Sequence, residues 1–208
     1  MKNIRLTVWI GIMCGWLAAG MLQAGTRPDN ARPAEEDGSR LWLPVMRPVE
    51  GAEVEVIYKG KVSPTIAVAI AELKNAWKGE PVLLEKKRTG QGDGFAITSS
   101  EHQVRILSST EAGLLYGVYS LLRMQAAGQV TVPLSVTEQS VYDLRILNHW
   151  DNLDGTVERG YAGCSLWNWE ELPGTLSPRY EAYARANASV GINGTVLNNV
   201  NASPQVLA

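Results

Sequence analysis

The side chains able to do chemistry crowd into one stretch, Asp143 to Gly163, which reads DLRILNHWDNLDGTVERGYAG. Asn148, His149, Trp150, Asp151 and Asn152 follow one another directly, and Glu158 and Arg159 come soon after. An aromatic ring flanked by carboxylates, amides and a guanidinium suits a sugar, which presents a flat C–H face and a rim of hydroxyls. Other readings of the same residues stay open. Trp150 also fits a buried anchor, and His149 with Asp151 an internal polar pair. Glu158 with Arg159 fits an ion pair on a solvated loop, which contributes little. Asp151 and Asp154 invite assignment as a catalytic pair, but that assignment is rejected. Cys164 is the one cysteine outside the apolar N-terminal run, so neither an intrachain disulfide nor a Cys-based metal site is expected.

These residues need elements to position them. Leu144 to Asn148 reads as a short strand whose apolar run suits burial in a parallel sheet, and barrels place ligand groups at the C-terminal ends of such strands. Ser177-Pro178 signals a helix start, which runs to about Val190, with Gly191 ending it. Ile192 to Asn198 is a second strand, leading into Asn199-Val200-Asn201. Strand, helix and strand make a βαβ unit. Two parallel strands do not close a barrel, so residues 141–208 read as the start of one, interrupted.

The preceding sequence reads as a separate small domain over residues 41–140. Glu53 to Tyr58 alternates polar and apolar residues as a strand does. Ser63-Pro64 opens a helix carrying Ile66, Ile70, Leu73 and Trp77, with Gly79 beyond its end. Strands are expected at Val82–Glu85, Gly94–Thr98 and Val104–Ser108. Thr110 caps a second helix with an apolar face of Leu114, Leu115, Val118, Leu121 and Leu122. Val130 to Val136, broken by Pro133, suits a sheet edge. Both helices are expected on one face of a mixed sheet. The fold class is therefore α/β: a small N-terminal α/β domain with two helices, followed by an incomplete (β/α)8 TIM barrel.

Lys2 and Arg5 precede an apolar run from Leu6 to Leu22, and Ala24-Gly25 offers a cleavage point. Residues 1–24 thus fit a secretory signal peptide, with an uncleaved membrane anchor as the alternative, and residues 25–40 a polar linker. Secretion or a periplasmic location follows, with no membrane association once the signal is removed. The net charge of -2 gives no basic field for nucleic acid. Gly90 to Gly94 lacks the Lys-Ser/Thr pair and following helix of a phosphate loop. Asn187, Asn193 and Asn201 head glycosylation sequons, but their place in expected barrel elements argues against use.

NHWDN followed by ERGYAG, and then LNNVNA after RYEAYARANASVGINGTV, resembles glycoside hydrolase family 67, the xylan α-glucuronidases. The resemblance covers about Asp143 to Ala202 closely and the preceding domain more loosely. It implies an inverting hydrolysis that releases (4-O-methyl-)glucuronic acid from its α-1,2 bond on xylo-oligosaccharides. Such a reaction uses one carboxylic acid and one carboxylate roughly 6.5–9.5 Å apart and no cofactor or metal. In the family both carboxylates lie on later barrel strands, which implies no catalytic residue in this chain and a fragment inactive alone. Carried across by position, Trp150 forms a wall of the glucuronic acid pocket and Val200 faces the 4-O-methyl group. Glu158 and Arg159 serve ring hydroxyls or organise the loop. A homodimer is implied for the full-length protein. Two alternatives stand beside this: a non-catalytic carbohydrate-binding protein, and another glycosidase family sharing the N-terminal domain.

Overall fold

Serine and threonine set the helix starts. Ser63 Oγ accepts from the Ile66 amide at 3.3 Å and Pro64 occupies the first turn of α1 (Pro64–Ala76). Thr110 Oγ1 accepts from the Gly113 amide at 3.0 Å at the head of α2 (Glu111–Ala126). Ser177 and Pro178 open α3 (Pro178–Ser189) in the same way. Each side-chain oxygen satisfies a backbone donor that the helix itself leaves unpaired. Gly128 and Gly191, with φ of 66° and 81°, stand just past the ends of α2 and α3, in the left-handed conformation that glycine adopts without Cβ strain.

The computed structural model describes Leu43 and residues 54–88 and 92–198, and these fall within one compact unit. The leader (1–24) and linker (25–40) read from the sequence lie outside the described residues. The strands are β1 (Val56–Tyr58), β2 (Val82–Lys86), β3 (Phe95–Ser99), β4 (Val104–Ser108), β5 (Ser135–Glu138), β6 (Ile146–Trp150) and β7 (Gly194–Asn198). A five-stranded mixed sheet has the order β1-β2-β4-β3-β5. Its β1–β2 and β2–β4 pairs are parallel, while β3 runs antiparallel to β4 and to β5. The edge strand near Pro133 begins two residues beyond the proline, at Ser135, because Pro133 has no amide to give the ladder.

Alternate residues of the sheet meet the two helices in one core: Val82 and Leu84 from β2, Ile97 from β3, Ile106 from β4, Ile66 and Leu73 from α1, and Leu114, Val118, Leu121 and Leu122 from α2. The opposite face of the sheet is wetter and carries the Glu85–Arg105 ion pair. Helix α2 sits close enough to the strands that a Cβ at Gly117 would lie 2.5 Å from Ile106 Cγ2. Glycine there lets backbone and sheet approach.

Strands β6 and β7 form a separate two-stranded parallel sheet, paired from Ile146↔Gly194 to Trp150↔Asn198, with α3 between them in sequence. The strand begins two residues later than its apolar run suggests. It is also far less buried than expected: Leu144 is 75% and Ile146 42% exposed. Among the described residues β6 has β7 as its one ladder partner, so its apolar run is not enclosed on both sides.

Three arginines fasten this unit to the five-stranded one. Arg185 of α3 holds the Glu72 carboxylate with Nε and Nη2, at 2.6 and 2.9 Å, and donates to the Leu43 carbonyl at 2.8 Å. Arg145 pairs with Asp93 at 2.5 Å and donates to the carbonyls of Gly191 and Tyr142. Arg123 of α2 donates to the Ser189 carbonyl at the end of α3. Guanidinium groups suit this role because their fixed fork reaches several acceptors at once.

Candidate functional site

Strand alternation sorts the residues at the end of β6 onto two faces. Ile146, Asn148 and Trp150 are exposed, while Leu147 and His149 are half-buried and Asp151 is buried. Trp150 therefore presents its ring outward, at 46% exposure, at the C-terminal end of the strand. Its register partner is Asn198. Val200, the residue expected to share its cavity, lies outside the described residues.

The loop after β6 folds back on the strand. Asp151 bridges antiparallel to Val157, and Thr156 to Cys164. The Glu158 amide donates to the Trp150 carbonyl at 2.7 Å, and Asn152 Nδ2 donates to the Glu158 carbonyl at 2.7 Å. Glu158 adopts a left-handed backbone, φ 55°. Trp150 and Glu158 are thus brought together by backbone hydrogen bonds. The Glu158 carboxylate also faces the Tyr161 hydroxyl, and that hydrogen bond holds the Tyr161 phenol above its ordinary pKa. Arg159 follows on the exposed turn.

The two aspartates that suggested a catalytic pair have separate structural duties. Asp154 Oδ1 accepts from the Thr156 hydroxyl at 2.6 Å and its amide at 2.9 Å, which keeps the carboxyl below the usual aspartate range. Asp151 is 2% exposed and turns inward. Its Oδ2 accepts from Ser165 Oγ at 2.5 Å, and its Oδ1 lies 3.5 Å from His149 Nδ1. The other ring nitrogen, His149 Nε2, is 2.5 Å from the Tyr183 hydroxyl.

Tyr183, Tyr180, Trp167 and Ser165 were not singled out as a group in the sequence. Tyr180 and Tyr183 stand three apart on α3 and so share a helix face, the one signal that pointed to them. Trp167 lies edge-on to His149 and Tyr183, with ring centroids at 5.7 and 5.5 Å, and tilts over Tyr180 at 4.9 Å. The Asn168 amide donates to the Tyr180 hydroxyl at 2.8 Å, fixing the loop to α3. Beside these rings is a cleft of about 410 Å³ between α3 and the start of β7.

A second cleft, of about 460 Å³, lies where the two sheets meet and includes Asp93, Tyr116, Arg123, Glu138 and Arg145. Its charged groups are already committed: Arg145 to Asp93, Arg123 to the Ser189 carbonyl, and Glu138 to the Ser120 hydroxyl. Burial, and then Asp93, push the Tyr116 hydroxyl above its ordinary pKa. This cleft reads as a structural seam, and Trp150 does not line it. Among the described residues no three His, Cys, Asp or Glu side chains converge to hold a metal ion, and no helix is long and apolar enough to cross a membrane.

Comparison with known proteins finds a likeness in the same half of the chain. Residues 124–208 match the model of the glycosyl hydrolase family 67 middle domain. The chain is 40% identical over 116 residues to the probable alpha-glucuronidase A of Aspergillus clavatus, a match covering 55% of this chain and 14% of that relative. It is 39% identical over 115 residues to the alpha-glucuronidase A of Aspergillus tubingensis, with the same coverage. The chain thus spans about one-seventh of the length of the curated relatives it matches. Among solved structures, a glycoside hydrolase family 138 enzyme targeting pectin rhamnogalacturonan II superposes with a TM-score of 0.52 at 17% identity. That match covers 71% of this chain and 24% of the other, a likeness of fold. The family-67 resemblance read from the sequence holds.

Proposed function

We propose, taking residues 124–208 as a glycosyl hydrolase family 67 segment, that this chain is the N-terminal part of an exported α-glucuronidase. The reaction is hydrolysis of the α-1,2 bond of (4-O-methyl-)glucuronic acid on xylo-oligosaccharides, with inversion. In this reading β6, α3 and β7 open a (β/α)8 barrel, and Trp150 and Val200 line the sugar pocket at its C-terminal rim. Glu158 and Arg159 stand beside Trp150 to meet ring hydroxyls. The acid and base are not among these residues, so the chain alone does not turn over substrate. Export to the periplasm or beyond, and dimerisation of the whole enzyme, belong to the same proposal.

The observation that carries it is the exposed Trp150 at a parallel strand's C-terminal end, inside the segment that matches family 67. An indole there offers an apolar face to a pyranose ring and keeps its N–H for a hydroxyl. The direct test incubates the purified chain with aldouronic acids and measures released 4-O-methyl-glucuronic acid. No release, together with a perturbation of Trp150 by the oligosaccharide, is the expected result. Turnover would refute the claim that the catalytic carboxylates lie elsewhere. Absence of any response at Trp150 would remove it from the pocket.

A further inference from the structure

We propose that two hydrogen-bonded pairs, Tyr183–His149 and Ser165–Asp151, whose His149 and Asp151 side chains approach to 3.5 Å, form a positioning device for Trp150, acting from the opposite face of β6. The proposal rests on the reading of Trp150 as a sugar-pocket wall and says what keeps that wall in place.

The residues on either side of Trp150 in sequence have their side chains held on the other face of the strand. His149 before it and Asp151 after it point to the face that Trp150 avoids, and both are clamped there. His149 is fixed by the Tyr183 hydroxyl at 2.5 Å and by the rings of Trp167 and Tyr183. Asp151 is fixed by Ser165 Oγ at 2.5 Å and by its bridge to Val157. The carbonyl of Trp150 itself is held by the Glu158 amide. With the backbone pinned on three consecutive residues, the indole keeps only its own side-chain torsions.

The proposal assigns His149 one tautomer. It puts the proton on Nδ1, 3.5 Å from the Asp151 carboxylate, and leaves Nε2 to accept from the Tyr183 hydroxyl. Ser165 donates to the other carboxylate oxygen. The order hydroxyl, imidazole, carboxylate resembles a nucleophile with its base, but the hydroxyl belongs to a tyrosine packed beside Trp167, on the inner side of the strand. Ser165 donates to Asp151, not to the imidazole. Such an arrangement orients without reacting, as outer-shell partners do around other sites.

The test uses the full 208-residue chain with nitrogen-labelled indoles, the Trp150 resonance being identified by its loss in Trp150→Phe. Tyr183→Phe removes one oxygen and keeps the ring contacts. It should shift or broaden the Trp150 signal while leaving that of Trp77, whose indole donates to the Glu80 carbonyl in the other sheet unit, unchanged. It should also weaken binding of an aldouronic acid roughly three- to tenfold, the equivalent of one neutral hydrogen bond. An unchanged Trp150 signal in Tyr183→Phe overturns the proposal. A measurement without any variant keeps it exposed to refutation. The two histidines of the chain are His102 and His149, and the ring nitrogens of His149 should report one fixed tautomer with the proton on Nδ1. Rapid tautomer exchange like that of free imidazole would equally overturn the positioning role. A Trp150 signal that answers Tyr183→Phe but ignores the sugar would retain the device and refute the pocket.

Discussion

Replacing Glu72 by Gln should cost about 2 kcal/mol of stability, within the range of about 1.5–3 kcal/mol for a hydrogen bond to a charged group. Arg185 and Glu72 are largely buried, with side-chain exposures of 18% and 14%, and meet through two contacts at 2.6 and 2.9 Å. Breaking a fully buried pair costs about 3–5 kcal/mol by stranding a charge. Glu72→Gln sits below that range, since its amide oxygen and the Leu43 carbonyl still accept from Arg185. Urea unfolding followed by circular dichroism is the assay. With a slope of about 2 kcal/mol per molar urea, the midpoint should fall by roughly 1 M. Arg185→Met should destabilise as well, and the double variant by less than the sum, because both single changes break the same interaction. Strict additivity, or a midpoint unmoved by either change, would refute the claim that this pair fastens α3 to the five-stranded unit.

Gly117→Ala should lower stability by about 1–3 kcal/mol, the range for overpacking a core. Its methyl would lie 2.5 Å from Ile106 Cγ2 and 3.3 Å from the Phe95 ring, and a thermal melt reads the loss. The Glu111 carboxyl is held below its ordinary value of 4.5 by the Ser63 hydroxyl and then by Lys86. Its contribution is therefore present above pH 4.5 and lost as acid carries the pH down through the lower folded-state value. In Ser63→Ala a carbon-detected titration should find Glu111 closer to 4.5, and α1 should lose about 1 kcal/mol of capping. Asn187 is 4% exposed, so mass analysis after expression in a glycosylating host should find that sequon bare in the folded protein.

Much of the fold was legible because short-range rules govern it. Ser63-Pro64, Thr110 and Ser177-Pro178 mark helix starts by chemistry local to three or four residues, and the three helices among the described residues begin there. Strand β4 was readable to the residue, Val104–Ser108, since its short, mostly apolar run lies between the polar pair His102-Gln103 and the Ser109-Thr110 helix start. The order of strands was not readable: β4 inserts between β2 and β3, a choice made by long-range packing under α2. The site divides along the same line. Trp150 at a strand's end came from local pattern, and family resemblance supplied its role. The partners of His149 and Asp151 did not, because Tyr183 and Ser165 reach them only once α3 and the returning loop have folded back. The apolar look of Leu144 to Leu147 misled about burial, since hydrophobicity in sequence states what a strand tolerates and not what covers it.

The ties of Arg145 set an order of events during synthesis. The guanidinium reaches back to Asp93, already emerged, and forward to the Gly191 carbonyl, still untranslated when Arg145 leaves the ribosome. Residues 54–138 contain both partners of every pairing in the five-stranded sheet, so that sheet is free to form on the nascent chain. It then offers Asp93 as a waiting anchor, and β6 acquires its second fastening only when the residues following α3 arrive.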